Sequence, residues 1–137
     1  MSLAEVRWIE LPHVAEPRGV LTAVEGAKDI PFEIRRIFYM HGTPAGQERG
    51  GHAHRDTQQV VVPVAGKFRI ELSDDRATEH HLLSDPNRGL YMPPMTWVRL
   101  HDFSPAAVCL VIADTHYDRA RSIRTWKEFC AAVGRPA

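Results

Sequence analysis

The chain has 137 residues, the size of one domain and enough to bury a core without disulfide or metal staples. Seventeen Lys plus Arg balance 17 Asp plus Glu, so no basic excess points to nucleic acid and no acidic tail is present. The longest apolar runs, such as Ala106 to Ala113, are far too short to span a bilayer.

In chain order the sequence reads as short strands separated by turns. Residues 4–11 alternate Val6, Trp8 and Leu11 against Glu5, Arg7 and Glu10, the period of a half-buried strand. Glu16-Pro17-Arg18-Gly19 is a turn. A strand over 20–25 and a loop over 26–31 follow. Residues 34–40 are rich in β-formers and carry Tyr39 near their end. Residues 43–51 hold one Pro and three Gly and read as a loop leading into His52-Ala53-His54. The next strand, 58–64, contains Pro63, which marks an edge or a bend. Phe68, Ile70 and Leu72 alternate with Lys67, Arg69 and Glu71, giving a strand with one buried face. Residues 80–83, 90–92, 97–100 and 108–113 supply further strands, with Pro93-Pro94-Met95 as a break. Only the C-terminal end reads as helix, running through Ile123, Trp126, Lys127, Phe129, Cys130 and Val133. Ser122 or the Asp118 region caps it, and Gly134 and Pro136 stop it. About nine short strands at this spacing predict an all-β sandwich or barrel, with residues 1–137 as a single domain. Two cysteines, Cys109 and Cys130, at no metal-like spacing, and no charged-then-apolar signal pattern at Met1-Ser2-Leu3, lead to an expectation of free thiols in the cytoplasm.

His52 and His54 are the chemically pointed feature. In a strand, residues i and i+2 share a face, so both imidazoles project to one side. That side is a packed interior, a metal site or an acid–base site. The surrounding spacing resembles the first motif of the cupins, small jelly-roll barrels: Gly46, five residues, His52-Ala53-His54, four residues, Gln59, six residues, Gly66. Two departures bear on a metal. The usual third ligand is Glu, and here it is Gln59, or Gln58 with three intervening residues. The second motif usually supplies a His, and Pro93-x-Met95-x-x-Val98 puts an alkyl group there. Mn, Fe or Zn want three or four N, O or S⁻ donors, and His101 joins only through a register shift. The metal-free reading makes the histidines the chemistry. A neutral imidazole is a natural general base near pH 7, and a charge on one ring disfavours charge on the other.

A wider set of segments is similar to the dTDP-4-keto-6-deoxyhexose 3,4-ketoisomerase family, the WxcM-like sugar ketoisomerase cupins. They are Arg18-Gly19-x-Leu21-x-x-x-Glu25, Pro31-Phe32-x-Ile34-x-Arg36-Ile37-Phe38-Tyr39, Arg49-Gly50-Gly51-His52-Ala53-His54-Arg55, Pro93-Pro94-x-x-Trp97, Phe103-Ser104, Tyr117-Asp118 and Ile123-Arg124. The resemblance runs from about residue 16 to residue 130. It implies a cupin jelly-roll with a short C-terminal helix, no cofactor, and a metal-independent move of a carbonyl from C4 to C3 of a nucleotide-linked sugar. It also implies a homodimer with an exchanged N-terminal strand. Such a reaction needs a base, an acid and a group that steadies enediolate charge. His52 as base, His54 as shuttle, Tyr39 as a proton relay and Arg49 at the oxyanion fill those roles. Arg18 suits a pyrophosphate through parallel hydrogen bonds, with Gln58 or Gln59, Trp97 and Tyr117 as further substrate-facing candidates. Each has a plainer rival: Arg18 a solvated turn residue, Tyr39 a core aromatic, Arg49 a surface partner of Glu48 or Asp56, Trp97 barrel packing. A metal-dependent cupin and a non-catalytic sugar-nucleotide-binding cupin are the competing functions.

Overall fold

The computed structural model describes residues 3–135. Met1, Ser2, Pro136 and Ala137 lie outside it, and the Pro136 stop signal with them. Two five-stranded antiparallel sheets face each other. One has the order β1 (Arg7–Glu10), β9 (Arg88–Met92), β6 (Gln59–Ala65), β11 (Val108–Ala113), β4 (Arg36–His41). The other runs β12 (Ser122–Ile123), β5 (Arg49–His54), β10 (Trp97–His101), β7 (Phe68–Ser73), β8 (Thr78–Leu83). A separate hairpin pairs β2 (His13–Glu16) with β3 (Gly19–Thr22). The helix α1 (Trp126–Val133) closes the chain. This is the expected jelly-roll with a short C-terminal helix. No helix among the described residues is long and apolar enough to cross a membrane.

Period-two alternation divides the apolar residues among three clusters. Between the sheets, Phe68, Ile70, Leu72, Val98 and Leu100 meet Val61, Leu90, Met92, Cys109 and Val111. Each fully buried aliphatic or aromatic side chain there contributes about 1.5–3 kcal/mol. The intervening residues Val60, Val62 and Ile112 face the other way, against Leu11, Ile30 and Phe32. On the back of the second sheet, Ala53, Trp97 and Ile123 pack against Phe129 of α1.

The structure shifts several expected boundaries. The strand expected over 20–25 is β3, and it pairs with β2, whose four residues are all exposed. With no buried face, β2 carries no apolar alternation for the sequence to display. Pro63 lies in a strand interior to its sheet, yet both expected features are present locally. The ladder with β9 ends at Val61, and the pairing with β11 skips Val64 between Pro63 and Ala65, a bulge beside the residue that lacks a donor. The helix starts later than expected. Ser122 and Ile123 pair with His54 and Ala53, Asp118 caps a separate 3₁₀ turn at Arg119–Arg121, and Thr125 caps α1 by accepting from the Glu128 N–H. Gly134 ends α1 in the left-handed region as anticipated.

Candidate active site

β5 carries the two histidines, flanked by β10 and β12. It begins at Arg49, inside the segment expected as loop, because Gly50 and Gly51 form an irregular strand rather than a free turn. Val98 is paired with His52 and Arg99 with Gly50, so Gly51 is left unopposed, a β-bulge. Gly50 has φ +87° and Gly51 φ +77°, the left-handed region that glycine enters at low cost. Beyond the bulge the strand alternates cleanly. Ala53 is 0 % exposed in the helix-side cluster, so His52 and His54 turn toward the interior. Their rings meet edge to face at 4.9 Å between centroids and 76° between planes.

Burial holds both rings neutral. For His52 it pulls the imidazole below its ordinary value, a hydrogen bond to the Gly50 carbonyl opposes this, and Arg124, Arg36 and Arg49 depress it further. His54 is pushed down to about 4, by burial first, then by His52, Arg36 and Arg124, with Asp56 opposing. Donation to Gly50 occupies one ring nitrogen of His52 and leaves a lone pair on the other. The His54 Nε2 is buried with no hydrogen-bond partner among the described residues. A measurable pH dependence results. The unfolded chain takes up a proton at His54 near pH 6.5, whereas the folded chain does so near 4, so stability is full above about pH 6.5 and falls as the pH drops toward 4. The expected loss is up to about 3 kcal/mol, read as a lower urea midpoint at pH 4.5 than at pH 7. In His54→Asn that difference shrinks.

Three recesses meet at these rings. An inner chamber of about 180 Å³ lies between the sheets, lined by Arg49, His52, Gln59, Phe38, Val98 and other apolar side chains. A wider cleft of about 400 Å³ shares His52 and Phe38 with it and adds Arg36, His54, Tyr117 and Arg124. The third, about 340 Å³, continues from Arg36, His54 and Tyr117 to Asp56, Thr57 and Arg121. The Arg36 guanidinium sits over the rings of Phe38 and Tyr117, at 5.1 and 5.5 Å, and its Nε is buried without a partner among the described residues. Burial lowers its pKa and Tyr117 opposes that; an arginine so placed still carries its charge at neutral pH.

The structure sorts the residues singled out in the sequence. Arg49 lines the inner chamber. Both of its plainer partners are engaged elsewhere: Glu48 accepts from Arg99 at 2.7 and 2.8 Å, and Asp56 pairs with Arg121. Gln59 faces the chamber with His52. Gln58 does not; its amide donates to Asp114 Oδ2 at 3.0 Å and accepts from the Tyr91 hydroxyl at 2.7 Å. It thereby ties β6 and β9 to the segment that leads to Tyr117. Tyr39 corrects an expectation. Along β4, Arg36, Phe38 and Met40 turn in while Ile37, Tyr39 and His41 turn out. Tyr39 is 61 % exposed and its ring lies against His41 at 5.6 Å, so it turns mainly outward while still contributing to the chamber's lining. The side chain beside His52 is that of Phe38, which has no hydroxyl to relay a proton. Trp97 is also packing: it contacts Trp126 and Phe129 at 5.6 and 5.7 Å on the outer face of β10. Arg18 sits at the hairpin tip, paired with Glu16 at 3.0 Å, and lines neither recess that contains His52. His101 faces outward with Arg99, toward Asp102 at 3.3 Å. Arg36, Arg124 and Phe38 are the additions. For Arg36 and Phe38, the parity of the strand over 34–40 already put them on one face.

The donor set does not suit a divalent cation. Among the described residues the wall holds two imidazoles and one neutral amide, a poor oxygen donor, and no group of three His, Cys, Asp or Glu side chains gathers there; Val98 stands directly opposite His52, whereas Mn, Fe or Zn take three or four strong N, O or S⁻ donors.

Comparison with known proteins shows what the whole chain is similar to. The FdtA family model, described as WxcM-like, C-terminal, matches residues 4–134. The chain is 37 % identical over 125 residues to a TDP-4-oxo-6-deoxy-α-D-glucose-3,4-oxoisomerase of Aneurinibacillus thermoaerophilus, covering 91 % of this chain and 90 % of that one. It superposes on the sugar 3,4-ketoisomerase QdtA of Thermoanaerobacterium thermosaccharolyticum, solved with TDP, with a TM-score of 0.93, 32 % identity and 96 % of both chains covered. A 3,4-ketoisomerase of Helicobacter canadensis gives 0.91 at 35 % identity, covering 95 % of this chain and 98 % of that one.

Proposed function

The chain belongs to the FdtA, WxcM-like family, and from that premise we propose that it is a TDP-sugar 3,4-ketoisomerase of deoxysugar biosynthesis whose proton transfers run through His52 and His54 without a metal. The observation that carries the mechanism is the edge-to-face pair of buried neutral imidazoles opening onto an arginine-walled cleft. The pyrophosphate lies along Arg36 and Arg124, where a buried guanidinium nitrogen has no partner among the described residues. An anion supplies what that nitrogen lacks, through charge-assisted hydrogen bonds. Tyr117 forms the outer wall of the nucleotide's path. The hexose then reaches inward to His52.

The reaction moves one hydrogen between carbons and one between oxygens. His52 takes the C3 proton, made acidic by the C4 ketone. The electron pair forms C3=C4, and O4 gains a proton to give the enediol. Loss of the O3 proton forms the C3 carbonyl, and a proton returns to C4. Two rings in contact, both neutral at rest, can pass these protons in turn, and Arg49 steadies developing negative charge. The reading is tested by incubating the protein with TDP-4-keto-6-deoxyglucose and following the sugar by ¹H NMR. A 3-keto product is expected; an unchanged 4-keto sugar with TDP still bound contradicts the assignment.

We further propose that the chain, one domain acting in the cytoplasm with Cys109 and Cys130 as free thiols, works as a homodimer that exchanges its N-terminal hairpin. The support is that among the described residues β2 and β3 pair only with each other and leave Val14, Val20 and Leu21 55, 57 and 66 % exposed, an apolar patch that a second copy would cover. The exchange also gives Arg18, remote from its own histidines, a route to the partner's cleft. Light scattering on the purified protein is expected to return twice the chain mass; a monomer at micromolar concentration would refute the exchange.

A further inference from the structure

We propose that Gln59 is a catalytic residue of the isomerisation, its side-chain N–H donating to the substrate's O4 as that oxygen gains negative charge.

The case begins with where Gln59 lies. Gln59 is only 5 % exposed, yet its amide forms no hydrogen bond to any described residue. The buried side-chain nitrogens and oxygens left without a partner among the described residues are Arg36 Nε and His54 Nε2, so the Gln59 amide keeps some access, through the chamber it lines. Its neighbour shows what a structural glutamine looks like in this fold. Gln58 uses both ends of its amide, on Tyr91 and Asp114, and its backbone N–H donates to Asp114 as well. Gln59 instead opens onto the inner chamber, whose other polar lining side chains among the described residues are His52, Arg49 and Tyr39. The remaining walls, among them Phe38, Val61, Ile70, Val98 and Val111, are apolar. An amide donor in such a place is electrostatically stronger than in water.

Its placement is rigid. Gln59 is paired with Met92 of β9 on one side and Ala113 of β11 on the other, so its backbone is fixed within the sheet facing β5. A donor held in advance, aimed where charge develops, is the arrangement that lowers a barrier without reorganisation. An amide also fits the electron balance. When His52 removes the C3 proton, the electron pair enters C3=C4 and the charge appears on O4. A neutral donor steadies that oxygen without delivering its own proton, and it does so at every pH at which His52 is an effective base. Arg49, another polar group of the chamber lining, brings a full charge to the same space. The two divide the task, charge from one side and a directed hydrogen bond from the other.

The inference rests on the ketoisomerase reading, and the experiment keeps the two apart by measuring the unsubstituted protein alongside. Gln59→Leu keeps the side-chain volume close and removes the donor. With TDP-4-keto-6-deoxyglucose as substrate, its kcat is expected to fall about 100-fold or more, with TDP affinity unchanged within about twofold. Because the lost amide had no partner, melting temperature stays the same or rises. A structural role would lower melting temperature and kcat together. The pH profile keeps its shape, since the titrating ring is untouched. Gln59→Glu, which sets a negative charge against the enediolate, falls below Gln59→Leu. If Gln59→Leu keeps kcat within about threefold of the unsubstituted protein, or loses TDP affinity and folding along with activity, the assignment is wrong. If the unsubstituted protein does not isomerise the sugar at all, the reaction reading fails and this role with it.

Discussion

His52→Asn is expected to lower kcat about 10³-fold, within the range for losing a positioned general base, while TDP still binds. The two halves of that result separate because the structure separates the groups. His52 faces the inner chamber with Gln59 and Arg49, whereas Arg36 and Arg124 stand in the cleft beyond it. Asparagine retains a polar amide that can bond to the Gly50 carbonyl, so the strand has no reason to move. What is lost is the lone pair on a neutral ring, held neutral by burial despite the Gly50 hydrogen bond. His54 does not replace it. Its imidazole is pushed down to about 4, which makes it a weaker base by the Brønsted relation that links basicity to proton abstraction. Turnover of His52→Asn within about tenfold of the unsubstituted protein would move the base to another residue. Loss of TDP binding in the same variant would show that the ring is structural.

Gly50→Ala is expected to have the second largest effect, and through backbone rather than chemistry. A Cβ at this position meets the Val98 carbonyl oxygen at 2.7 Å and the Arg99 Cα at 3.2 Å. Neither is a flexible side-chain end that can swing away. The residue also sits at φ +87°, where an L side chain adds strain of order 1–3 kcal/mol. The sum of strain and clash is about 3 kcal/mol or more, a large fraction of a typical domain's stability. The consequence for activity is specific, because the Gly50 carbonyl receives the His52 hydrogen bond and Gly51 is the bulged residue that sets the register of His52 against Val98. A shifted β5 lets the ring rotate. Urea unfolding should show the lower midpoint, and kcat should fall more than KM rises. A variant as stable and active as the parent would show that the bulge is not needed. Gly51, whose added Cβ meets nothing within 4 Å, makes the contrasting control: its alanine variant suffers the φ cost without the clash.

Much of this site can be read in the sequence, by parity and spacing. The i, i+2 relation alone turns His52 and His54 to one face, and the cupin spacing carries Gln59 to the strand opposite. The same parity, applied to residues 34–40, identifies Arg36 and Phe38 as the inward pair and Tyr39 as outward. A hydroxyl at a strand end suits proton relay and points to Tyr39 by residue type, whereas the pleat turns that side chain mainly outward. The helix start was similarly available, since Thr125-x-x-Glu128 has the spacing of a capping box. Ser122 and Asp118 compete with it as polar caps, and only the pairing of Ser122 and Ile123 with β5 removes them. Other features depend on contacts far apart in the chain. Nothing local shows that Arg36, near residue 40, and Arg124, past residue 120, wall one cleft. Nor does the sequence show that Glu48 is taken by Arg99, which also binds Glu71 at 2.7 Å, leaving Arg49 to the chamber. The exposed β2 strand was invisible because both its faces are polar or solvent-facing within one chain.

The central claim is that two neutral histidines and not a metal carry the protons. It is tested most directly by running the reaction in D₂O with protein dialysed against a chelator. The expected product is the TDP-3-keto-6-deoxy sugar with deuterium at C4, formed at the same rate before and after chelation. Activity that disappears on chelation and returns with Mn, Fe or Zn would contradict the account.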